Sequence, residues 1–272
     1  MKVTKLFQHQ DIQGFKFGSS LFKPPRIFSH VYFIDGLLID TGHPNMRQDI
    51  IKTLKDLPVK QILITHHHED HSGNIKVLQN HFNCPVYTSK KGIELLKKPP
   101  KISPGQYITW GKAPAYHDAK IVGQIIKTPR YTFEVIDIPG HAIDMIGLYE
   151  RSQGWLFSAD LYVHYYIRFF MRPESMKTQI ASIKKVLQLD FKALLCSHNP
   201  QFEGGREKLQ QKLAFFEDFY SRVADLYHQG NSPKVIFNKM KLKPGWINRI
   251  LTLDSITSMN MVLSVIRDEQ TK

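Results

Sequence analysis

A six-residue run of histidines and carboxylates at positions 66–71, His-His-His-Glu-Asp-His, follows an apolar segment that is typical of a buried strand. Because alternate residues that leave a strand point to the same side, His66 and His68 can reach one metal ion. Asp70 and His71 lie beyond the turn, where they can face a second ion. Imidazole and carboxylate ligands with few thiols suit zinc, with manganese and iron as alternatives.

Further histidines and aspartates recur where other apolar segments end. The residues that follow these strand-like segments are Asp40, His141, Asp160 and His198. When strand ends meet at one edge of a sheet, the residues that follow them surround a common mouth, where small-molecule sites tend to form. We therefore expect these four residues to join the run at 66–71 in one site.

The order of these motifs resembles that of the metallo-β-lactamase superfamily over most of the chain. The family's early aspartate is matched by Asp40, and its His-x-His-x-Asp-His signature by residues 66–71. Its Pro-Gly-His element is matched by residues 139–141, its later aspartate by Asp160 and its final histidine by His198.

The resemblance implies a ligand set for two divalent metal ions, Zn²⁺ first, with Mn²⁺ or Fe²⁺ as alternatives. The ligands of one ion are His66, His68 and His141. The ligands of the other ion are Asp70, His71 and His198. Asp160 is expected to bridge both ions, and Asp40 to orient a ligand imidazole from behind, as ligand histidines normally require.

The resemblance also implies an α/β (α+β) fold, a four-layer αββα sandwich with the dinuclear site at one edge of its two sheets. Alternating strand-like and helical spacing along the chain is compatible with that fold. After Gly204-Gly205 the spacing is helical at 207–227, 233–240 and 256–266, so we predict a catalytic domain at 1–205 and a C-terminal helical extension at 206–272. Residues 99–130 are expected to form a long loop beside the site.

A dinuclear site of this kind is typical of a hydrolase in which a metal-bridging hydroxide attacks an ester-type bond. A bridging Asp160 makes the site resemble the glyoxalase II and lactonase branches, which cleave thioesters and lactones. Asp70 is a candidate to orient the nucleophile and move its proton. Tyr162 and His164, in the segment after Asp160, are candidates to donate a hydrogen bond to an oxyanion or leaving group.

Other activities remain as alternatives. The same fold supports metal-dependent phosphodiesterases and nucleases, although only 37 residues separate Asp160 from His198 and leave no room for the large β-CASP insertion. A mononuclear iron persulfide dioxygenase is a second alternative. The basic glutathione-binding pattern of glyoxalase II is not found near the C-terminus, which makes a glutathione thioester less favoured and leaves another acyl thioester, an ester or a lactone as candidates.

The formal net charge is +13, and the Lys90–Arg130 segment holds nine Lys and Arg residues against two acids. It indicates either a solvated lysine-rich surface or a basic surface for anionic partners. We expect a small-molecule substrate, which is anionic if the basic surface binds it. Nucleic acid is not favoured as a partner. The oligomeric state stays open. Two cysteines, no signal-peptide pattern and no transmembrane segment predict a cytoplasmic protein with buried thiols.

Overall fold

The computed structural model describes residues 1–21 and 23–271, which contain two facing β-sheets. The first sheet has seven strands in chain order. They are β1 (Lys2–His9), β2 (Ile12–Ser19), β3 (Ser29–Ile34), β4 (Leu37–Ile39), β5 (Gln61–Leu63), β6 (Val86–Thr88) and β7 (Lys120–Ile121). Strands β1 to β4 pair antiparallel, and β4 to β7 pair parallel.

The second sheet has five strands in the order β13-β11-β10-β9-β8. Their bounds are β8 (Ile125–Lys127), β9 (Thr132–Asp137), β10 (Ile146–Glu150), β11 (Trp155–Ala159) and β13 (Ala193–Cys196). Only the β11–β13 pair of this sheet is parallel within the described residues. A separate antiparallel pair joins β12 (Phe170–Met171) to β14 (Ile256–Thr257).

Helices cover the outer faces of both sheets. Those before residue 110 are α1 (Arg47–Leu54), α2 (Glu69–Ser72), α3 (Ile75–Phe82), α4 (Lys90–Lys97) and α5 (Pro104–Thr109). The later ones are α6 (Met176–Val186), α7 (Gly205–His228), α8 (Pro233–Lys239), α9 (Trp246–Thr252) and α10 (Ser258–Gln270). In the described part of the chain, no helix has the length and apolar character needed to cross a bilayer.

Three buried apolar clusters hold the four layers together. Side chains of both sheets, among them Tyr32 and Phe157, meet in the cluster between the sheets. The first sheet packs its other face on helices through residues such as Ile50, and the second sheet through residues such as Phe216. The expected α/β class and αββα order of layers are therefore confirmed.

The chain reverses between β3 and β4 at Asp35-Gly36, a residue pair that favours a two-residue hairpin turn. Both residues have positive φ, 46° and 91°, which is the geometry that a two-residue hairpin turn of this twist requires. The reversal brings the end of β4 beside the end of β5 in a parallel pair. Asp40 and the run at 66–71 consequently leave the same edge of the first sheet.

The segment at 99–130, which the sequence predicted to be a long loop, contains regular structure, namely helix α5 and the short strands β7 and β8. Helix α5 begins with a capping box, in which Ser103 and Gln106 satisfy each other's backbone amides. Two further differences are the β1–β2 hairpin and helix α9, which the sequence pattern did not indicate.

The C-terminal helices pack directly on the second sheet. Leu209 of α7 and Val265 of α10 belong to the same buried cluster as Leu156 and Cys196 of that sheet. Helix α7 begins at the predicted boundary, but the shared core gives the extension no separate apolar interior. The boundary itself stays a prediction. Cys84 and Cys196 are both buried and free, as expected for structural thiols.

Candidate metal centre

Three histidine side chains converge on one point at the edge of the two sheets. His66 Nε2 and His68 Nδ1 are 3.0 Å apart, and His68 Nδ1 lies 3.1 Å from His141 Nε2. Burial, together with the neighbouring histidines, holds the pKa of His66 and His68 well below its usual range. Both rings are therefore neutral, which is the form that offers a lone pair to a metal.

A second group of four side chains lies beside the three histidines. It consists of Asp70, His71, Asp160 and His198. His198 Nε2 lies 3.0 Å from Asp160 Oδ2 and 3.4 Å from Asp70 Oδ2. His71 Nε2 lies 3.5 Å from Asp70 Oδ2 and 3.4 Å from Asp160 Oδ1.

Asp160 is close to both groups. Its Oδ2 atom lies 3.0 Å from His198 Nε2 and 3.3 Å from His141 Nε2, so one carboxylate oxygen faces a histidine of each group. Burial would raise the pKa of Asp160, but His198 and His71 outweigh burial and hold it well below its usual range. The carboxylate is accordingly ionised between the two sets of imidazoles.

Strand ends and tight turns deliver these side chains. His66 and His68 follow β5, and Asp70 and His71 belong to α2, the short helix that begins directly after His68. Asp160 comes directly after β11, where Ala159 has a φ of 45°, and this left-handed residue turns the chain into the site.

The turn before His141 needs glycine. Gly140 has a φ of 132°, a conformation that other residues rarely adopt. A Cβ at this position would lie 2.6 Å from the backbone nitrogen of Gln179 in α6. Glycine therefore lets the Pro-Gly-His turn approach α6 closely enough to set the position of His141.

Partners behind the histidines fix which ring nitrogen faces the site. His71 Nδ1 lies 2.8 Å from Asp40 Oδ2, and His198 Nδ1 lies 2.6 Å from the carbonyl oxygen of Phe28. Asp40 is itself held by the backbone amide of Thr65, which donates to its Oδ1 at 2.8 Å. The resemblance implied that Asp40 lies behind a ligand imidazole, and the ring that Asp40 contacts is that of His71.

Glu174 plays the corresponding part for His141, and the sequence analysis missed it. Its Oε2 lies 3.2 Å from His141 Nδ1 and accepts a hydrogen bond from Gln179 Nε2 at 2.8 Å. Its Oε1 accepts from the backbone amide of Met171 at 2.7 Å. Burial lowers the pKa of His141, but the charge of Glu174 and the hydrogen bond to it outweigh burial and raise the pKa.

The donor set fits two divalent metal ions. His71 Nε2 and Asp160 Oδ1 are buried and lack a hydrogen-bond partner among the described residues, although they lie 3.4 Å apart. Such buried polar atoms cost free energy unless something coordinates them. The first group offers three nitrogen donors. The second group offers two nitrogen donors and two carboxylate donors, and both combinations suit zinc.

The residues between the ligands point elsewhere or line the cleft. His67 turns away, with its Nδ1 2.8 Å from Asp144 Oδ1 and its backbone amide donating to the same carboxylate. Glu69 borders the cleft beside the histidines, and burial raises its pKa to about 7. His67 therefore supports the turn that carries the ligands.

Tyr162 and His164 lie in different surroundings from the seven side chains of the two groups. Tyr162 is 1% exposed and belongs to the apolar cluster under the second sheet. His164 is exposed and accepts a hydrogen bond from the backbone amide of Tyr166 at 3.1 Å. Their role as hydrogen-bond donors in catalysis stays a prediction.

A cleft opens beside the first histidine group. His67, His68 and Glu69 line it together with residues of the segment around α5, among them Ile102 and Gln106. Three exposed cations also line it, namely Lys101, Lys112 and Arg172. The cleft therefore extends from the candidate metal centre to these three cations.

Comparison with known families and proteins agrees with this geometry. A model of the metallo-β-lactamase superfamily matches residues 24–198. A hydroxyacylglutathione hydrolase of Wigglesworthia glossinidia brevipalpis is 31% identical over 182 residues, 66% of this chain and 59% of that protein. One of Hamiltonella defensa is 30% identical over 168 residues, 59% of this chain and 56% of that protein. The chain thus spans little more than half the length of these curated relatives.

Solved structures share the fold. A metallo-β-lactamase family protein of Thermus thermophilus superposes with a TM-score of 0.67 at 16% identity and covers 94% of both chains. A metallo-β-lactamase of Pontibacter korlensis superposes with a TM-score of 0.62 at 19% identity and covers 79% of this chain and 99% of that one. At these identities the likeness concerns architecture alone.

Proposed function

Because this chain belongs to the metallo-β-lactamase superfamily, we propose that it is a dinuclear metal-dependent hydrolase that cleaves an ester-type bond, with thioesters first among the candidates. The observation that carries the proposal is the position of Asp160, whose carboxylate faces both histidine groups. A single ion would need only one of these groups. The choice of thioesters is supported by the two hydroxyacylglutathione hydrolases with about 30% identity.

His66, His68 and His141 would hold one ion, and Asp70, His71 and His198 the other, with Asp160 shared. Two bound zinc ions would supply a water of lowered pKa and polarise the acyl oxygen of the substrate. Asp40 and Glu174 would keep His71 and His141 in the required orientation, because a ring held through Nδ1 presents Nε2 to the site.

Asp70 would orient the attacking water and accept its proton. Its Oδ2 lies 3.4 Å from His198 Nε2 and 3.5 Å from His71 Nε2, so the carboxylate borders the space between the ligands of the second group. A carboxylate within hydrogen-bond reach of the nucleophile is the geometry that general-base assistance requires.

The cations of the cleft would bind the carrier or acid group of the substrate. Lys101, Lys112 and Arg172 line the cleft that begins at His68. Cations in a concave surface attract anionic ligands and raise their local concentration. A small anionic acyl thioester would therefore place its negative group beside these cations and its carbonyl carbon toward the candidate metal centre.

A substrate panel tests the proposal. Zinc-loaded protein should hydrolyse at least one ester-type substrate of the panel, a thioester, an ester or a lactone, faster than a phosphodiester. Asp70→Ala should lower the rate of that hydrolysis at least about 100-fold. His81→Ala is the matched control, because His81 is an exposed histidine on α3. Faster turnover of the phosphodiester would favour the nuclease alternative, and an unchanged rate in Asp70→Ala would refute the role of Asp70.

A further inference from the structure

Helices α5 and α9 expose an unusual number of large apolar side chains. On α9 and directly after it, Trp246 is 66% exposed, Ile247 77%, Ile250 71% and Leu253 68%. Tyr107 of α5 is 60% exposed. A contiguous patch of exposed apolar side chains on a globular protein often marks a binding site. We call these residues of α5, α9 and position 253, with Ile108 and Leu251, the apolar rim.

The two helices form one continuous surface. Gly105 of α5 approaches α9 so closely that a Cβ there would lie 2.9 Å from the carbonyl oxygen of Leu251. This surface also borders the cleft, because Gln106 of α5 and Ser255, which follows α9, line it together with His68. A partner that covers the apolar rim would therefore sit beside the mouth of the candidate active site.

Positive charge surrounds the apolar rim. Residues 97–117 contain four lysines and no acid. Residues 230–257 contain five Lys and Arg residues and one acid, Asp254, which is paired with Arg249 at 2.6 Å. Lys241 and Lys243, just before α9, are exposed. Around Trp246, one cavity is lined by Arg172, Lys234, Arg249 and Arg267, and a second by Lys241 and Lys243 among others, so cations lie beside the exposed apolar side chains of α9.

This charge decides between the occupants of the surface. A second copy docked through the same face would bring the same cations together, and like charges across an interface are costly. An anionic lipid surface fits both features, because its headgroups attract the lysines while its acyl region receives the apolar side chains. Tryptophan is moreover enriched at the level of lipid headgroups.

We propose that the apolar rim docks this protein on anionic membrane surfaces, with the mouth of the cleft facing the lipid. Docking is peripheral: the α9 side chains enter the boundary between headgroups and acyl chains, and the surrounding lysines contact the headgroups. The basic segment at 90–130 then acts in membrane attachment through its α5 region, in addition to lining the cleft.

Vesicle sedimentation tests the proposal. The full chain should bind vesicles of phosphatidylglycerol and phosphatidylcholine, bind pure phosphatidylcholine at least about tenfold more weakly, and lose affinity as salt rises. Ile247→Glu/Ile250→Glu should bind the anionic vesicles at least about tenfold more weakly than the wild type. Leu6→Glu/Ile125→Glu, which changes two exposed apolar residues on β1 and β8 with the same charge change, should bind like the wild type.

Thermal unfolding and hydrolysis of a small water-soluble substrate show whether the α9 variant keeps its fold, since both altered side chains are exposed. Selective loss of vesicle binding with unchanged unfolding temperature supports the proposal. It is overturned if the wild type does not sediment with anionic vesicles, or if the α9 variant binds them as tightly as the wild type. It is also overturned if ultracentrifugation shows a dimer that the α9 variant abolishes while vesicle binding stays absent.

Discussion

Oε2 of Glu174 lies 3.2 Å from Nδ1 of His141 and also accepts a hydrogen bond from Gln179, while Oε1 accepts one from the backbone amide of Met171. Glu174 is buried just before α6, His141 is half-buried, and the contact directs Nε2 of His141 toward His68. A histidine ligand held in this way has a fixed tautomer and a more basic ring nitrogen. Glu174 thus links the metal centre to the packing of α6.

Glu174→Gln should weaken binding of the ion held by the first histidine group. The substitution keeps the shape of the side chain and removes the charge that supports the His141 ring, so we expect zinc affinity to fall by about tenfold or more. Competition with a chelator of known affinity measures the change. Glu203→Gln alters an exposed glutamate and should leave the affinity unchanged; equal effects of the two variants would contradict the role given to Glu174.

Lys212 of α7 should make stability depend on pH in the alkaline range. Its ammonium is buried, donates to the carbonyl oxygen of Leu161 at 2.6 Å, and lies 3.4 Å from Gln179 Oε1. Burial lowers its pKa to about 8, although the charges of Glu174 and Asp160 oppose this shift. The folded protein therefore binds this proton more weakly than the unfolded chain does.

The sign follows from linkage, because stability rises with pH wherever the unfolded state binds more protons. Between pH 8 and the unfolded pKa of 10.5, the free energy of unfolding of the metal-free wild type should rise by up to roughly 3 kcal/mol relative to Lys212→Met. Urea unfolding of both proteins at several pH values measures the difference. A constant difference, or one that falls with pH, would show that burial does not lower the pKa of Lys212.

Gly140→Ala should destabilise the fold as well as the metal site. The residue has a φ of 132°, and the new Cβ would meet the backbone of Gln179 at 2.6 Å. Strain and steric overlap together should cost at least about 2 kcal/mol in metal-free protein. Gly123→Ala is the control, because the new Cβ would lie 3.8 Å from the nearest atom, the carbonyl oxygen of Ile125. Similar urea midpoints for the two variants would mean that the turn can relax without cost.

The sequence indicated much of this site because its signals are local. His66, His68, Asp70 and His71 lie within six residues, at spacings that a strand end and a helical turn convert directly into positions. The more distant partners each follow a strand that contributes buried apolar side chains, so their common place at one edge of the two sheets could be inferred. The Asp-Gly turn after β3 was equally readable, since two positive φ values strongly favour that pair.

Other features lacked a local signal. Glu174 is 33 residues from His141, and its only sequence trace is an acid before the helical spacing of α6. Strand β1 has an irregular mixture of exposed and half-buried positions, so no alternation marks it. Helix α9 exposes its apolar residues instead of burying them, and burial is the premise on which hydrophobic periodicity depends.

The central claim is that Asp160 joins the two groups into one dinuclear site, and a zinc titration of metal-free protein followed by thioester hydrolysis tests it most directly. We predict that the wild type binds two zinc ions per chain and that full activity appears only with the second. Asp160→Asn should bind the second ion at least about tenfold more weakly and lose most of its activity. Full activity with one ion per chain, or two tightly bound ions and an unchanged rate in Asp160→Asn, would contradict the account.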